Sequence, residues 1–476
     1  MGLPAVFNLI ILISSFSGLC HAYDYKTYFY RQKVDHFSFT NDDIFIQRYL
    51  ISDAHWNGNN GPIFFYAGNE GDITLFADNT GFVWDTAPEF KALVVFAEHR
   101  YYGVSLPYGS KSFSEPKYSG YLTSEQALAD YAELLTYLKR VIPGAKDSPV
   151  VVFGGSYGGM LAAWFRMKYP HIVQGAIAAS APILQFTGVT PCDKFGKVVT
   201  ADFARESNEC VEVIRKSWSA LNTVTADDEG KAWLSNSWKL CDPLKSEKNI
   251  TDFKDYLSNV WTNLAMVDYP YPANFLAPLP AYPIKVVCSH LTDSSKDQRA
   301  LLEELNAGLQ VYYNYTGEAK CLNFNEQADV RLDDNGWNVQ TCNEMVMPFC
   351  YDGIHDFFEP AAWNYTAFED ECHKNYGLTP QPFMVSLMYG GRNINASSNI
   401  VFSNGLLDPW SSGGVMWNVS DTVVSVIIPE GAHHLDLRSA DPQDPQSVKN
   451  ARTLEKLHIR RWIENYHIQQ HSLNGI

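Results

Sequence analysis

The sequence predicts an α/β fold: a largely parallel sheet flanked by helices and interrupted by a long, helix-leaning insertion. Three observations carry that prediction. Short, nearly all-apolar runs alternate with amphipathic helical patterns over residues 62–179. The alternation stops near residue 186, and strand-like runs return only near residue 399. Every cysteine beyond Cys20 falls in the stretch between. Runs that are apolar at nearly every position suit strands buried on both faces of a parallel sheet.

Residues 62–67 and 92–97 are the first two strands of the series. A helix follows, with Leu128, Tyr131, Leu134, Leu135 and Leu138 on one face. Thr123 and Gln126 form a capping box at its start, and Pro143 ends it. Residues 149–153 are the third strand, residues 160–167 a second helix that stops before Pro170, and residues 175–179 the fourth strand. Residues 399–402 and 423–428 rejoin the sheet, and a closing helix is built on Val448, Ala451, Leu454, Leu457 and Trp462. The expected organisation is a leader over 1–22, a core over 23–185, a helical cap over 186–375 and the rest of the core over 376–476. Three consecutive domains would leave the late strands without a sheet to join.

Composition narrows the function. The 476 residues are 46% hydrophobic and 19% charged, enough apolar material for a large core. The net charge of −17 argues against nucleic acid and anionic membranes, whose sequence-independent attraction needs clustered Lys and Arg. No run of 18 apolar residues follows the leader, so no membrane span is expected.

Residues 1–22 hold no charged side chain, are mostly apolar from Ala5 to Ile13, and end on Cys20-His21-Ala22. They read as a secretory signal peptide. Of nine cysteines, Cys20 leaves with the leader. The even remainder predicts four disulfides and no free thiol. Without a C-x-x-C pair no zinc site is expected, and no cofactor either. Sequons at Asn249, Asn314, Asn364, Asn395 and Asn418 add the expectation of a glycoprotein.

The sharpest motif is Gly154-Gly155-Ser156-Tyr157-Gly158-Gly159, placed between the third strand and the second helix. A G-x-S-x-G in that context is the nucleophile elbow of an α/β-hydrolase. Its serine needs a base, and the base an orienting carboxylate, which follow in the order Asp then His. Asp408 lies in the loop after residues 399–402, and His433 and His434 lie after residues 423–428. A metal site on the two histidines and Asp436 would lack a third histidine. The N–H of Tyr157 is the expected first donor of the oxyanion hole, and Asn69 or Glu70, after the first strand, the second. His99 is expected to hold its loop.

These residues, with Gln32-Lys-Val-Asp-His-Phe37, Glu98-His-Arg-Tyr-Tyr-Gly103, Asn263-Leu-Ala-Met-Val-Asp-Tyr-Pro-Tyr271 and Gly431-Ala-His-His-Leu-Asp-Leu-Arg438, carry a resemblance. Over nearly the whole chain the sequence resembles the serine peptidase family of the Pro-X carboxypeptidases (prolylcarboxypeptidases), which also holds dipeptidyl peptidase II. The resemblance implies an α/β-hydrolase core with a mainly helical, disulfide-rich cap inserted between nucleophile and acid. It implies a catalytic triad of Ser156, Asp408 and His433, and a proline pocket of Met160, Met347 and Trp410. It pairs Cys192 with Cys350, Cys210 with Cys288, Cys241 with Cys321, and Cys342 with Cys372. The implied substrates are short peptides with proline next to the cleaved bond, and the implied location is lysosomal or extracellular. A homodimer is left open.

Carboxypeptidase is the preferred reading, because Met345-Val-Met-Pro-Phe-Cys350 and the short 321–342 segment resemble that branch. A terminal carboxylate needs cationic donors, and His434 and Arg438 are the candidates. The alternative, a dipeptidyl peptidase, would need a carboxylate for a substrate amine, such as Asp329, Asp333 or Asp334. An esterase or lipase on the same core, and a binding protein that has lost its chemistry, are the more distant alternatives.

Overall fold

The computed structural model describes residues 23–325, 331–332 and 334–474. The expected leader lies outside the described residues, as do Asp329 and Asp333.

The core is one mixed sheet of eight strands: β1 (Lys26–Lys33), β2 (Ile44–Ser52), β3 (Ile63–Ala67), β4 (Leu93–Ala97), β5 (Val150–Gly155), β6 (Val173–Ala179), β7 (Ile400–Gly405) and β8 (Val423–Ile428). Their order is β1-β2-β4-β3-β5-β6-β7-β8. From β4 to β8 every pairing is parallel, so β3 through β8 deliver their following loops to one edge. Phe64, Tyr66, Phe96, Val151 and Phe153 pack on one face of the sheet. Ile63, Phe65, Val95, Val150 and Val152 pack on the other. Burial on both faces is why these strands read as unbroken apolar runs.

The antiparallel pair β1 and β2 is absent from the sequence reading. Its inward positions include Gln32 and Gln47, both fully buried, joined by a 2.8 Å hydrogen bond from Gln32 Nε2 to Gln47 Oε1. Buried amides satisfied by each other break the apolar alternation that marks such strands.

Helix α1 (Ser124–Val141) covers one face with Leu128, Tyr131, Leu134, Leu135 and Leu138, all buried as expected. Its capping box is only half made. Thr123 Oγ1 accepts the Gln126 N–H at 3.3 Å, but the Gln126 side chain binds His36 N–H and Asp35 instead. Helix α2 (Tyr157–Lys168) starts directly after Ser156.

Between β6 and β7 the chain forms mainly helices, the longest being α3 (Lys194–Glu206), α4 (Asn208–Val224), α5 (Glu247–Met266) and α6 (Gln298–Tyr313). Two shorter ones follow, α7 (Asp334–Asn343) and α8 (Tyr365–Tyr376). Disulfides join Cys192–Cys350, Cys210–Cys288, Cys241–Cys321 and Cys342–Cys372, the pairs the resemblance implies. The fold is an α/β-hydrolase core with a helical, disulfide-stapled insertion between the elbow and the last two strands.

The closing helix, α9 (Gln446–Asn474), corrects the expected face. Val448, Ala451 and Trp462 are buried, but Leu454 and Leu457 are 38% and 56% exposed. The inward positions between them carry Arg452 and Glu455. Arg452 donates to the carbonyls of Asp436 (2.8 Å) and Leu435 (3.1 Å) and to Asp444 Oδ2 (2.5 Å). The helix thus grips the loop after β8 through charge, which apolar periodicity cannot reveal. Among the described residues no helix is long and apolar enough to cross a membrane.

Candidate active site

Ser156 follows the last residue of β5 and holds φ 59° and ψ −129°, a conformation that costs a non-glycine residue strain. Its N–H donates to Ala179 O at 3.0 Å, pinning the turn to β6. The neighbouring glycines are required for space. A Cβ on Gly154 would stand 1.9 Å from the Gly158 carbonyl oxygen, and one on Gly158 would stand 2.6 Å from Asn69 Oδ1. The N–H of Tyr157 belongs to the first turn of α2, where backbone donors have no intrahelical acceptor.

Asp408 caps the short 3₁₀ turn Pro409–Gly413 after β7, with Oδ1 accepting the Trp410 N–H at 3.1 Å. Its other oxygen, Oδ2, is 2.9 Å from Nδ1 of His433. Both residues are buried. A carboxylate only accepts, so Nδ1 carries the imidazole proton and Nε2 keeps its lone pair. The insertion holds the backbone of His433: its N–H donates to Met266 O at the end of α5 (2.9 Å), and the Tyr269 hydroxyl donates to its carbonyl (3.0 Å).

Ser156 opens into a cavity of about 970 Å³ that Tyr157, Met160, Met347, Trp410 and Glu70 also line. Met160 and Met347 come from α2 and the insertion, and Trp410 packs edge-on to Phe195 at 4.9 Å. Asn69 does not line that cavity. It is buried beneath the elbow, with Nδ2 donating to Gly155 O (3.1 Å) and Oδ1 accepting from the Tyr66 hydroxyl (3.0 Å). Its neighbour Glu70 lines the same cavity as Ser156.

His434 and Arg438 are not brought to the cavity. His434 sits at φ 38°, donates its N–H to Ser180 Oγ at 2.8 Å, and packs its ring on Phe275 and on Gly155. Burial first, then the neighbouring His433 and Arg438, push its pKa well below the ordinary value. Its ring is thus engaged in packing against Phe275 and Gly155 and does not line the cavity. The Arg438 guanidinium lies 4.6 Å over the Tyr269 ring and donates to Asn79 Oδ1 at 3.2 Å. Packing of the loop against the insertion uses both side chains.

Asn364 caps α8, and Asn364, Asn395 and Asn418 are exposed, whereas Asn249 and Asn314 are half-buried at ends of α5 and α6. Among the described residues no three His, Cys, Asp or Glu side chains gather to hold a metal ion.

Two residues of α7 that escaped the sequence reading contact Tyr157 directly: Trp337, which lines the cavity, and Gln340, which is buried behind it. No motif marks them.

The chain is 52% identical over 450 residues to lysosomal Pro-X carboxypeptidase of Bos taurus, covering 94% of this chain and 90% of that one. It is 53% identical over 446 residues to lysosomal Pro-X carboxypeptidase of Homo sapiens, with 94% and 90% covered. Prolyl carboxy peptidase like protein 5 of Caenorhabditis elegans is 42% identical over 479 residues, with 95% and 92% covered. The family model of serine carboxypeptidase S28 matches residues 32–455, a span from within β1 to within α9 that contains the elbow, the insertion and both late loops. This chain therefore belongs to the serine carboxypeptidase S28 family and is a serine peptidase.

Proposed function

We propose that this peptidase removes the C-terminal residue from short peptides whose penultimate residue is proline, in the lysosome or outside the cell. The observation that carries the reading is the apolar wall of Met160, Met347 and Trp410 in the cavity where Ser156 opens. Two flexible thioethers and an indole face suit a rigid pyrrolidine ring. The names of the similar proteins support the same substrate class.

Ser156 Oγ attacks the carbonyl of the proline residue while His433 Nε2 takes its proton. Asp408 holds the ring through Nδ1 and stabilises the imidazolium. The Tyr157 N–H receives the developing oxyanion, with a second donor from the Asn69–Glu70 loop. The C–N bond breaks as His433 returns the proton to the leaving amine. Water, activated by the same histidine, then hydrolyses the acyl-enzyme and frees a peptide ending in proline. The insertion over 186–375 acts as the cap that encloses the substrate. A leader over 1–22 and glycans on the exposed sequons complete the reading of a secretory-route protein.

The test is a peptide series ending in Pro-Xaa or Ala-Xaa, with free or amidated C-termini and free or blocked N-termini. Loss of one C-terminal residue from the Pro-Xaa free acids, indifferent to the N-terminus, is expected. Release of N-terminal dipeptides instead would overturn it.

A further inference from the structure

We infer that Gln340, on the inserted helix α7, and His99, in the loop after β4, are positioning residues that clamp the side chain of Tyr157 and so aim its backbone N–H at the oxyanion. The inference rests on the reading of Tyr157 as an oxyanion donor given above.

Tyr157 is buried, and its phenol oxygen lies between two nitrogens: His99 Nε2 at 3.0 Å and Gln340 Nε2 at 2.6 Å. The protons of His99 and of the Tyr157 hydroxyl can be placed from their partners. His99 Nδ1 is 2.7 Å from the Arg100 carbonyl oxygen, which only accepts, so Nδ1 carries the hydrogen. Burial lowers the His99 pKa to about 4, so the ring is neutral near neutral pH and Nε2 accepts. The Tyr157 hydroxyl therefore donates to His99, and its oxygen accepts from the Gln340 amide.

The amide is itself fixed. Its oxygen accepts from the Tyr102 hydroxyl at 2.7 Å, and its second N–H points to Glu344 Oε1 at 3.3 Å. Glu344 in turn accepts from the Ser124 hydroxyl at 3.0 Å and from the Ser124 N–H in the first turn of α1. Tyr102, His99, Ser124, Gln340 and Glu344 are all buried, where a polar group without its partner is costly. Trp337, one turn before Gln340 on α7, adds a ring contact to Tyr157 at 5.5 Å.

Tyr157 is the first residue of α2, immediately after the nucleophile. A phenol bonded on two sides at its far end cannot swing, and the Cα it hangs from is held with it. The oxyanion donor is thus fixed jointly by the sheet, through His99, and by the insertion, through Gln340. Loss of an oxyanion donor costs about 10²–10³-fold in kcat, so loosening one is expected to cost about tenfold.

The experiment is a double-mutant cycle on the full-length enzyme with Gln340→Met and Tyr157→Phe. It measures kcat and KM on a Pro-Xaa peptide, and the affinities of a peptidyl-proline aldehyde and of a product peptide ending in proline. The aldehyde forms a tetrahedral adduct with Ser156; the product peptide does not. Gln340→Met is expected to lower kcat and aldehyde affinity about tenfold, with KM and product affinity within about twofold. The double variant should be no worse than the poorer single variant. Additive losses, or wild-type kcat in Gln340→Met, overturn the clamp and leave the oxyanion reading standing. Coupled losses of kcat with unchanged aldehyde affinity overturn the oxyanion reading, and with it the role given to Gln340.

Should Gln340→Met fail to fold, Gln340→Glu serves. The new carboxyl would face Tyr157, Tyr102 and Glu344. Protonated, it donates to the phenol oxygen as the amide does; ionised, it cannot. Its kcat should fall with rising pH along a limb the wild type lacks, and a profile parallel to the wild type overturns the proposal.

Discussion

The ring of His434 lies against the backbone of Gly155: a Cβ placed there would stand 2.9 Å from Cδ2 and 3.0 Å from Cγ of the imidazole. The contact joins the residue before the nucleophile to the residue after the base. His433 and His434 have ring centroids 4.3 Å apart, so a push on one is felt by the other. Gly155→Ala is expected to lower kcat at least about tenfold, since misplacements near 1 Å cost up to about a hundredfold. Removing the obstructing ring should relieve it: Gly155→Ala/His434→Ala is predicted to recover part of the lost kcat. A double variant slower than both singles would contradict the steric account.

His434 is buried against Phe275 and Gly155, outside the cavity lining, and burial depresses its pKa, so its packing rather than its charge is expected to matter. His434→Gln is expected to reduce kcat/KM by one common factor for matched peptide acids and amides, at acidic and at neutral pH. A larger loss for the free acids below neutral pH would return the carboxylate contact to this residue.

Ser156 occupies positive-φ backbone that alanine shares no better and glycine adopts freely. Both Ser156→Ala and Ser156→Gly should abolish turnover, since each lacks the Oγ. They should differ in stability. The strain at such a site is about 1–3 kcal/mol, against roughly 0.5–1 kcal/mol of extra chain entropy lost by glycine. Thermal unfolding is therefore expected to give Ser156→Gly a Tm at or above that of Ser156→Ala, and a clear deficit would argue against strain at the elbow.

What was legible followed from burial. β3 to β6 announce themselves because side chains on both faces are apolar, whereas β1 and β2 hide behind Gln32 and Gln47. In α9, Leu454 and Leu457 attract the eye, yet the loop of the base is held by Arg452 on the other side. Ser156 and Asp408 could be named because motif and chain order restrict them, while those rules leave His433 and His434 open and the family resemblance selects His433. His434 and Arg438 could not be placed, since adjacency along a loop says nothing about which way a side chain turns. Gln340 was beyond reach. Its partners Tyr157 and Tyr102 lie 183 and 238 positions away, and only the fold brings them together.

Stability should fall as pH rises above neutrality, for a reason rooted in four buried carboxyl groups. Asp202 on α3 is pushed up to about 9, by burial first and then by the charge of Asp268. Asp268, just past α5, is raised by burial to about 7, and Glu344 likewise to about 7. Glu455 is raised well above its ordinary value, by burial and then by Asp436. In the unfolded chain all four ionise near pH 4. Between there and their folded values the native state binds more protons, so stability is complete below the unfolded pKa and is lost as pH rises through the folded one. Buried His99 and His434 act in the opposite sense, because their folded pKa values are depressed. Their effect ends above about pH 6.5, where unfolded histidine is neutral too. From there to about pH 8 the carboxyls act alone, at about 1.4 kcal/mol per pH unit for each extra proton bound. Tm is thus expected to drop across that interval. Asp202→Asn should flatten the drop, since it removes a group that keeps its proton in the folded state up to about pH 9. A wild-type Tm that holds constant or climbs from pH 6.5 to 8 would show that these carboxyls ionise in place, without cost to the fold.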